Sequence, residues 1–110
     1  MRQAIIKYNN LPAGLLTELD SGEYEFVYDE QYVQTQVGFI TFQMPVRSTP
    51  YTSKSLFPFF DGLIPEGWLL NIASESWRIN KNDRMGLLLS CCQHTIGAVS
   101  VHPLKEIENV

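Results

Sequence analysis

The sequence is poor in the features that mark many catalytic, secreted and membrane proteins. Its 110 residues include two cysteines, Cys91 and Cys92, and these are adjacent. Neighbouring cysteines do not readily meet disulfide geometry with each other, so a reduced, cytoplasmic protein is expected. No apolar run approaches the ~18 residues of a membrane span. Charge returns at Lys7, before an apolar region of roughly 7–15 residues can form, so no signal peptide is expected. Positive charge is scarce: eight Lys and Arg stand against twelve Asp and Glu, a net charge of −4. That balance offers no electrostatic footprint for a phosphate backbone and argues against direct nucleic-acid binding. Neither GxGxxG nor GxxxxGK[ST] occurs, so there is no glycine-rich phosphate loop. The length leaves no room for a TIM barrel, a protein kinase or a Rossmann enzyme with a substrate domain.

What is present is ordinary globular composition, 45% hydrophobic and 12% aromatic. A chain of this size buries roughly two thirds of its unfolded surface, enough for a core without staples. One domain is expected over residues 1–104, followed by a solvated tail, 105–110. The first half has the period of two expected for strands. Gln3–Tyr8 is a short strand, and Asn9-Asn10-Leu11-Pro12 is turn chemistry. Leu15–Leu19 and Tyr24–Tyr28 form a hairpin across Asp20-Ser21-Gly22, with Tyr24, Phe26 and Tyr28 alternating with Glu25 and Val27. Phe39–Met44 is a fourth strand ended by Pro45, and Val46–Lys54 is a connecting loop.

The second half changes to helical period. Leu56, Phe59, Phe60 and Leu63 share a face, with Ser55 as N-cap, Pro58 in the first turn and Gly62 as the stop. Pro65 opens a second helix whose stripe is Leu69, Ile72, Ala73 and Ser76, with Trp77 completing the core. Asp83 caps a third, which places Met85, Leu88, Leu89 and Cys92 on one face. Gly97–Val101 is the closing strand, stopped by Pro103. Strands first, helices later and one strand returning predict an α+β fold: a small antiparallel, barrel-like sheet of about five strands with three helices.

Candidate chemistry is sparse. Cys91, Cys92, His94 and His102 lack the spaced cysteine pair of a zinc site. They read as small buried residues and surface histidines in preference to metal ligands or a Cys–His nucleophile. Asp61 and Glu66 flank Gly62-Leu63-Ile64-Pro65. They read first as helix-end electrostatics, with acid/base work the less favoured alternative. No enzyme, metal or cofactor is expected. Trp68 fits least well, because it lies ~100° or more from the centre of its helix stripe. Such an indole is either a lid over the core edge or an exposed anchor of the kind enriched at interfaces.

Leu56-Phe57-Pro58-Phe59-Phe60-Asp61-Gly62-Leu63-Ile64-Pro65-Glu66-Gly67 resembles the FF-x-x-L-L-P-E segment of HipA-type toxin kinases, which lies in the subdomain preceding their kinase core. Phe39–Pro45 is similar to the family's LS-x-x-LP strand, Asp83–Leu89 to its D-x-F-x-L-L helix, Cys92–Val101, with Gly97-Ala98, to its closing G-A-V strand, and Gly14–Tyr28 to its aromatic hairpin. No residue matches the family's ATP- or magnesium-binding regions. Without a kinase core, the chain resembles the small HipS-type antitoxins of tripartite HipBST systems. That resemblance implies an antitoxin that binds and inhibits a separate HipA-like serine/threonine kinase, HipT, alongside a HipB-type DNA-binding protein. Gly67-Trp68 departs from the fused proteins, which continue there with polar residues and an arginine. The expected partner-binding residues are Asp61, Ile64, Pro65, Glu66, Gly67 and Trp68, with Trp68 presented at or near the kinase active site. The alternative is a non-inhibitory scaffold that links the kinase to the HipB-type protein through its sheet face and edge.

Overall fold

The computed structural model describes residues 2–35, 38–64, 82–91 and 98–104. Strand β1 (Arg2–Tyr8) turns at Asn9-Asn10 into β2 (Leu11–Glu18), and a second hairpin leads to β3 (Tyr24–Tyr28). Helix α1 (Glu30–Thr35) follows, then β4 (Tyr51–Ser53), α2 (Pro58–Asp61), α3 (Arg84–Cys91) and β5 (Val99–Pro103). The five strands form one sheet in the order β4-β3-β2-β1-β5, and every pairing is antiparallel. The α+β class and strand number agree with the sequence reading. The sheet stays open, with β4 and β5 at its edges, instead of closing towards a barrel.

The local chemistry explains where elements fall differently from expectation. Asn9 and Asn10 have φ of 49° and 69°, a two-residue left-handed turn that Asn tolerates best among non-glycine residues. It closes the hairpin at Tyr8↔Leu11, so β2 begins at Leu11 and not at Leu15. Pro12 is accommodated because the register shifts between Ile6 and Lys7, and a bulge is where a strand tolerates proline. Helix α1 was not expected. Its cap is Asp29, whose Oδ1 accepts from the Gln31 and Tyr32 amides at 2.9 and 3.2 Å.

Phe39–Met44 is not a strand. Its backbone groups bond to side chains and to a local turn, with Met44 N–H donating to Thr41 O at 2.9 Å. The fourth strand comes later, inside the segment expected as loop, where Tyr51 pairs with Phe26 and Ser53 with Tyr24. Helix α2 is one turn long and starts at Pro58, with Phe57 at ψ 135° as its uncapped N-terminal flank. Proline forces the residue before it into extended geometry, so Ser55 cannot act as the cap. Asp83 does begin α3, accepting from the Gly86 amide at 3.1 Å, and Met85, Leu87 and Leu88 are fully buried. Strand β5 runs on to Pro103, two residues beyond the expected end. The helix expected from Pro65 through Trp77, Cys92, His94, Gly97 and the tail 105–110 lie outside the described residues.

The core lies on one face of the sheet. Ala4 and Ile6 of β1, Leu16 of β2, Phe26 and Tyr28 of β3 and Val101 of β5 meet Phe60, Ile64, Met85 and Leu88. Gly14 belongs to this face because a side chain there would collide with the Phe26 ring. Phe26 packs edge-on to Tyr28 at 5.0 Å and against Phe60 at 5.5 Å.

Candidate partner-binding site

The corner after α2 is tightly folded. Phe57 and Phe60 seat the single helical turn, with Phe60 fully buried against Phe26. Leu63 N–H donates to Phe60 O at 3.0 Å, and Ile64 N–H to Asp61 O at 3.2 Å. Ile64 is 2% exposed and joins the core; its contribution is to hold the corner in place. Asp61 ends α2, and its Oδ1 accepts from Arg84 Nε at 2.6 Å. That ion pair ties α2 to α3, so the carboxylate already has an internal partner. Of the six expected partner-binding residues the structure thus places Asp61 and Ile64 on one corner. Pro65, Glu66, Gly67 and Trp68 lie outside the described residues.

The platform behind the corner is fastened by Arg2. Its guanidinium donates to both Glu18 oxygens at 2.7 and 2.9 Å and to both Asp83 oxygens at 2.8 and 2.9 Å. Two bidentate pairs from one planar fork join β1, β2 and the start of α3. The absence of a side chain at Gly86 keeps this space clear, since a Cβ there would strike the Asp83 carboxylate. Arg2 holds the Asp83 carboxyl below the usual carboxylate range, and the two carboxylates hold Arg2 all the more firmly protonated.

A second exposed feature is the loop from Gly38 to Pro50. Tyr28 OH donates to Met44 O and accepts from the Ile40 amide at 3.2 Å. Tyr32 OH donates to Gly38 O at 2.6 Å, and Tyr51 OH to Pro45 O at 2.5 Å. Burial disfavours the Tyr28 phenolate and pushes its pKa up to about 12. Ile40 and Met44 point into the core, while Phe39 is 49% and Phe42 75% exposed. Sequence reasoning placed these phenylalanines in a strand and missed their exposure. The available signal was charge: from Gln31 to Val46 no residue is charged.

The face of the sheet away from the core carries an apolar row. Ile5 pairs with Leu15, and Leu15 with Val27. With Pro12 and Leu104 they line an open cleft of about 450 Å³. Ser100 Oγ and His102 Nε2 are 2.8 Å apart on β5. Among the described residues no group of three or more His, Cys, Asp and Glu could hold a metal, and no helix is long and apolar enough to cross a membrane.

Comparison with known proteins adds the following. A family model described as the HipA N-terminal domain matches residues 4–102, which spans β1 through β5. An uncharacterized protein of Haemophilus influenzae is 32% identical over 93 residues, 84% of each chain. A solved structure titled "N-terminal domain of HipA toxin" superimposes with a TM-score of 0.73 at 26% identity, covering 96% of this chain and 95% of that one.

Proposed function

The chain belongs to the HipA N-terminal domain family, and from that premise we propose that it is an antitoxin that docks on a separate HipA-like serine/threonine kinase and blocks it. The family ties it to HipA-type toxin–antitoxin systems. The observation that carries the finer reading is the extent of the match. It takes in the sheet from β1 to β5, and the solved domain and the Haemophilus influenzae relative are matched along most of their own lengths. A HipA N-terminal domain is not itself a kinase domain, which is consistent with a role in occupying another protein's surface.

The corner built by Phe60, Asp61 and Ile64 delivers the chain into Pro65-Glu66-Gly67-Trp68. The well-packed base suits it to present a side chain, because rigid support lowers the ordering cost of binding. Trp68 is the anchor, directed at or near the kinase active site, where a buried indole contributes ~2–4 kcal/mol. Glu66 adds charge complementarity towards a basic cleft. Asp61 acts mainly through Arg84, and Ile64 by holding the corner.

A second reading is a scaffold that joins the kinase to a HipB-type DNA-binding protein. The apolar cleft around Ile5, Leu15, Val27 and Leu104 favours it, because among the described residues that cleft is open. Size-exclusion chromatography of the kinase with this chain, with and without the HipB-type protein, separates the two. A two-protein complex with lost kinase activity supports the antitoxin. Association only when the HipB-type protein is present supports the scaffold.

A further inference from the structure

Three bonds fix Asp61 at the end of α2. Its N–H donates to Phe57 O at 2.9 Å, its carbonyl accepts from Ile64 N–H at 3.2 Å, and its Oδ1 accepts from Arg84 Nε at 2.6 Å. The first two lie within the corner itself; of the three, only the bond from Arg84 comes from another element. Helix α2 needs support from outside. It is a single turn with no side-chain cap, and so short a helix does not hold itself.

Arg84 gives that bond a firm post. It is the first residue of α3. Asp83, one residue earlier, accepts from the Gly86 amide and is gripped by both Nη groups of Arg2 at 2.8 and 2.9 Å. Met85, Leu87 and Leu88 bury the turn that follows. Adjacent residues at one helix start thus reach in two directions: Asp83 to the sheet through Arg2, and Arg84 to the corner through Asp61. The Arg84–Asp61 pair is half open to water, with side chains 33% and 43% exposed, so it adds little to global stability. Its effect is on direction. We infer that Arg84 is a positioning residue for the partner: through Asp61 it sets the angle at which the chain leaves Ile64 towards Trp68, and with it the affinity for the kinase. A preorganised corner lowers the ordering cost of binding. The inference rests on the antitoxin reading and assigns a role to a residue outside the Asp61–Trp68 segment.

Calorimetric titration of the purified kinase subunit with wild type, Arg84→Met, Asp61→Asn, the double variant Arg84→Met/Asp61→Asn and the swap Asp61→Arg/Arg84→Asp tests it, beside amide exchange in the free proteins. Arg84→Met is expected to weaken binding about fivefold or more, with a melting temperature within a few degrees of wild type. Exchange is expected to quicken at the Ile64 amide and to stay unchanged at the Leu87 amide of α3; a general loss of stability would quicken both. The double variant is expected to bind no worse than the weaker single one, because both changes break one interaction. The swap is expected to recover most of the affinity. If Arg84→Met melts early, Arg84→Lys, which keeps the charge and loses the Nε donor, carries the same test. A wild type that binds no kinase overturns the antitoxin reading and this inference with it. A wild type that binds, with Arg84→Met binding equally well, overturns this inference alone. So does a double variant whose losses add, which would place Asp61 in direct contact with the kinase.

Discussion

Replacing Arg2 by methionine is expected to destabilise the fold by about 2 kcal/mol. Methionine keeps an aliphatic stem and removes the fork. The lost interactions are four hydrogen bonds, two to Glu18 and two to Asp83, all between 2.7 and 2.9 Å. The side chains are partly open to water: Arg2 at 41%, Asp83 at 35% and Glu18 at 22%. Exposed ion pairs contribute only about 0.2–1 kcal/mol each, and the bidentate geometry places these two near the upper end. Two such pairs give roughly 1–2 kcal/mol after solvent screening. A little more is lost because two carboxylates then face each other without their shared cation. In a domain of this size about 2 kcal/mol corresponds to a fall in Tm of roughly 8–14 °C.

Thermal and urea unfolding followed by circular dichroism reads the change directly. The pH dependence supplies an internal control. Hydrogen bonding from Arg2 is the main cause of the lowered Asp83 pKa. A carboxyl depressed in the folded state adds stability above its unfolded pKa of about 4 and loses it as pH falls through the folded value. The gap between wild type and Arg2→Met is therefore widest near neutral pH and narrows below about pH 4. A loss under about 0.5 kcal/mol at neutral pH, or a gap that does not narrow in acid, refutes the assignment of Arg2 as the fastening between sheet and α3.

The Tyr28 hydroxyl links the buried Ile40 amide to Met44 O, so Tyr28→Phe is expected to cost about 1–2 kcal/mol and to speed amide exchange at Ile40. Unchanged protection there contradicts the role. Because the Tyr28 pKa is pushed up to about 12, wild type sheds stability as pH rises from about 10 towards that value; Tyr28→Phe lacks this loss, and parallel alkaline melts of the two proteins compare it. Gly14→Ala would place a methyl 2.5 Å from the Val27 carbonyl and 2.6 Å from the Phe26 ring. Neither can yield easily, and a loss of about 2–3 kcal/mol is expected in urea titration; a wild-type midpoint rules out the close packing of β2 on Phe26.

Much of the fold could be read directly where local chemistry and tertiary packing agree. Tyr24, Phe26 and Tyr28 alternate as a strand face should, and the hairpin before them closes where Gly22 supplies its φ of 91°. Asp83 caps α3 as its position suggests. Reading failed where side chains from elsewhere satisfied the backbone. Phe39–Met44 has strand-forming residues, but the Tyr28 and Tyr32 hydroxyls hold the segment as a loop. That displaced the pairing partner of β3 to the three residues of β4. The one-turn α2 shows proline overriding an apolar period, since Pro58 dictates both where the helix begins and what precedes it. At the candidate site, the sequence pointed to the Asp61–Trp68 corner but not to the Asp61–Arg84 pair. Long-range ion pairs leave no periodic trace, and neither Arg2 nor Arg84 is marked by spacing. Phe39 and Phe42 were hidden for a related reason: β-propensity reports a fit to a half-buried surface, which an anchored loop can offer as well.

The central claim is that this domain neutralises a separate HipA-like kinase through the Trp68 corner. Co-expression with that kinase, scoring growth for wild type and Trp68→Ala at matched levels of folded protein, tests it most directly. The account predicts that wild type restores growth and that folded Trp68→Ala does not. Full rescue by folded Trp68→Ala contradicts the anchor, and no rescue by wild type contradicts the antitoxin function itself.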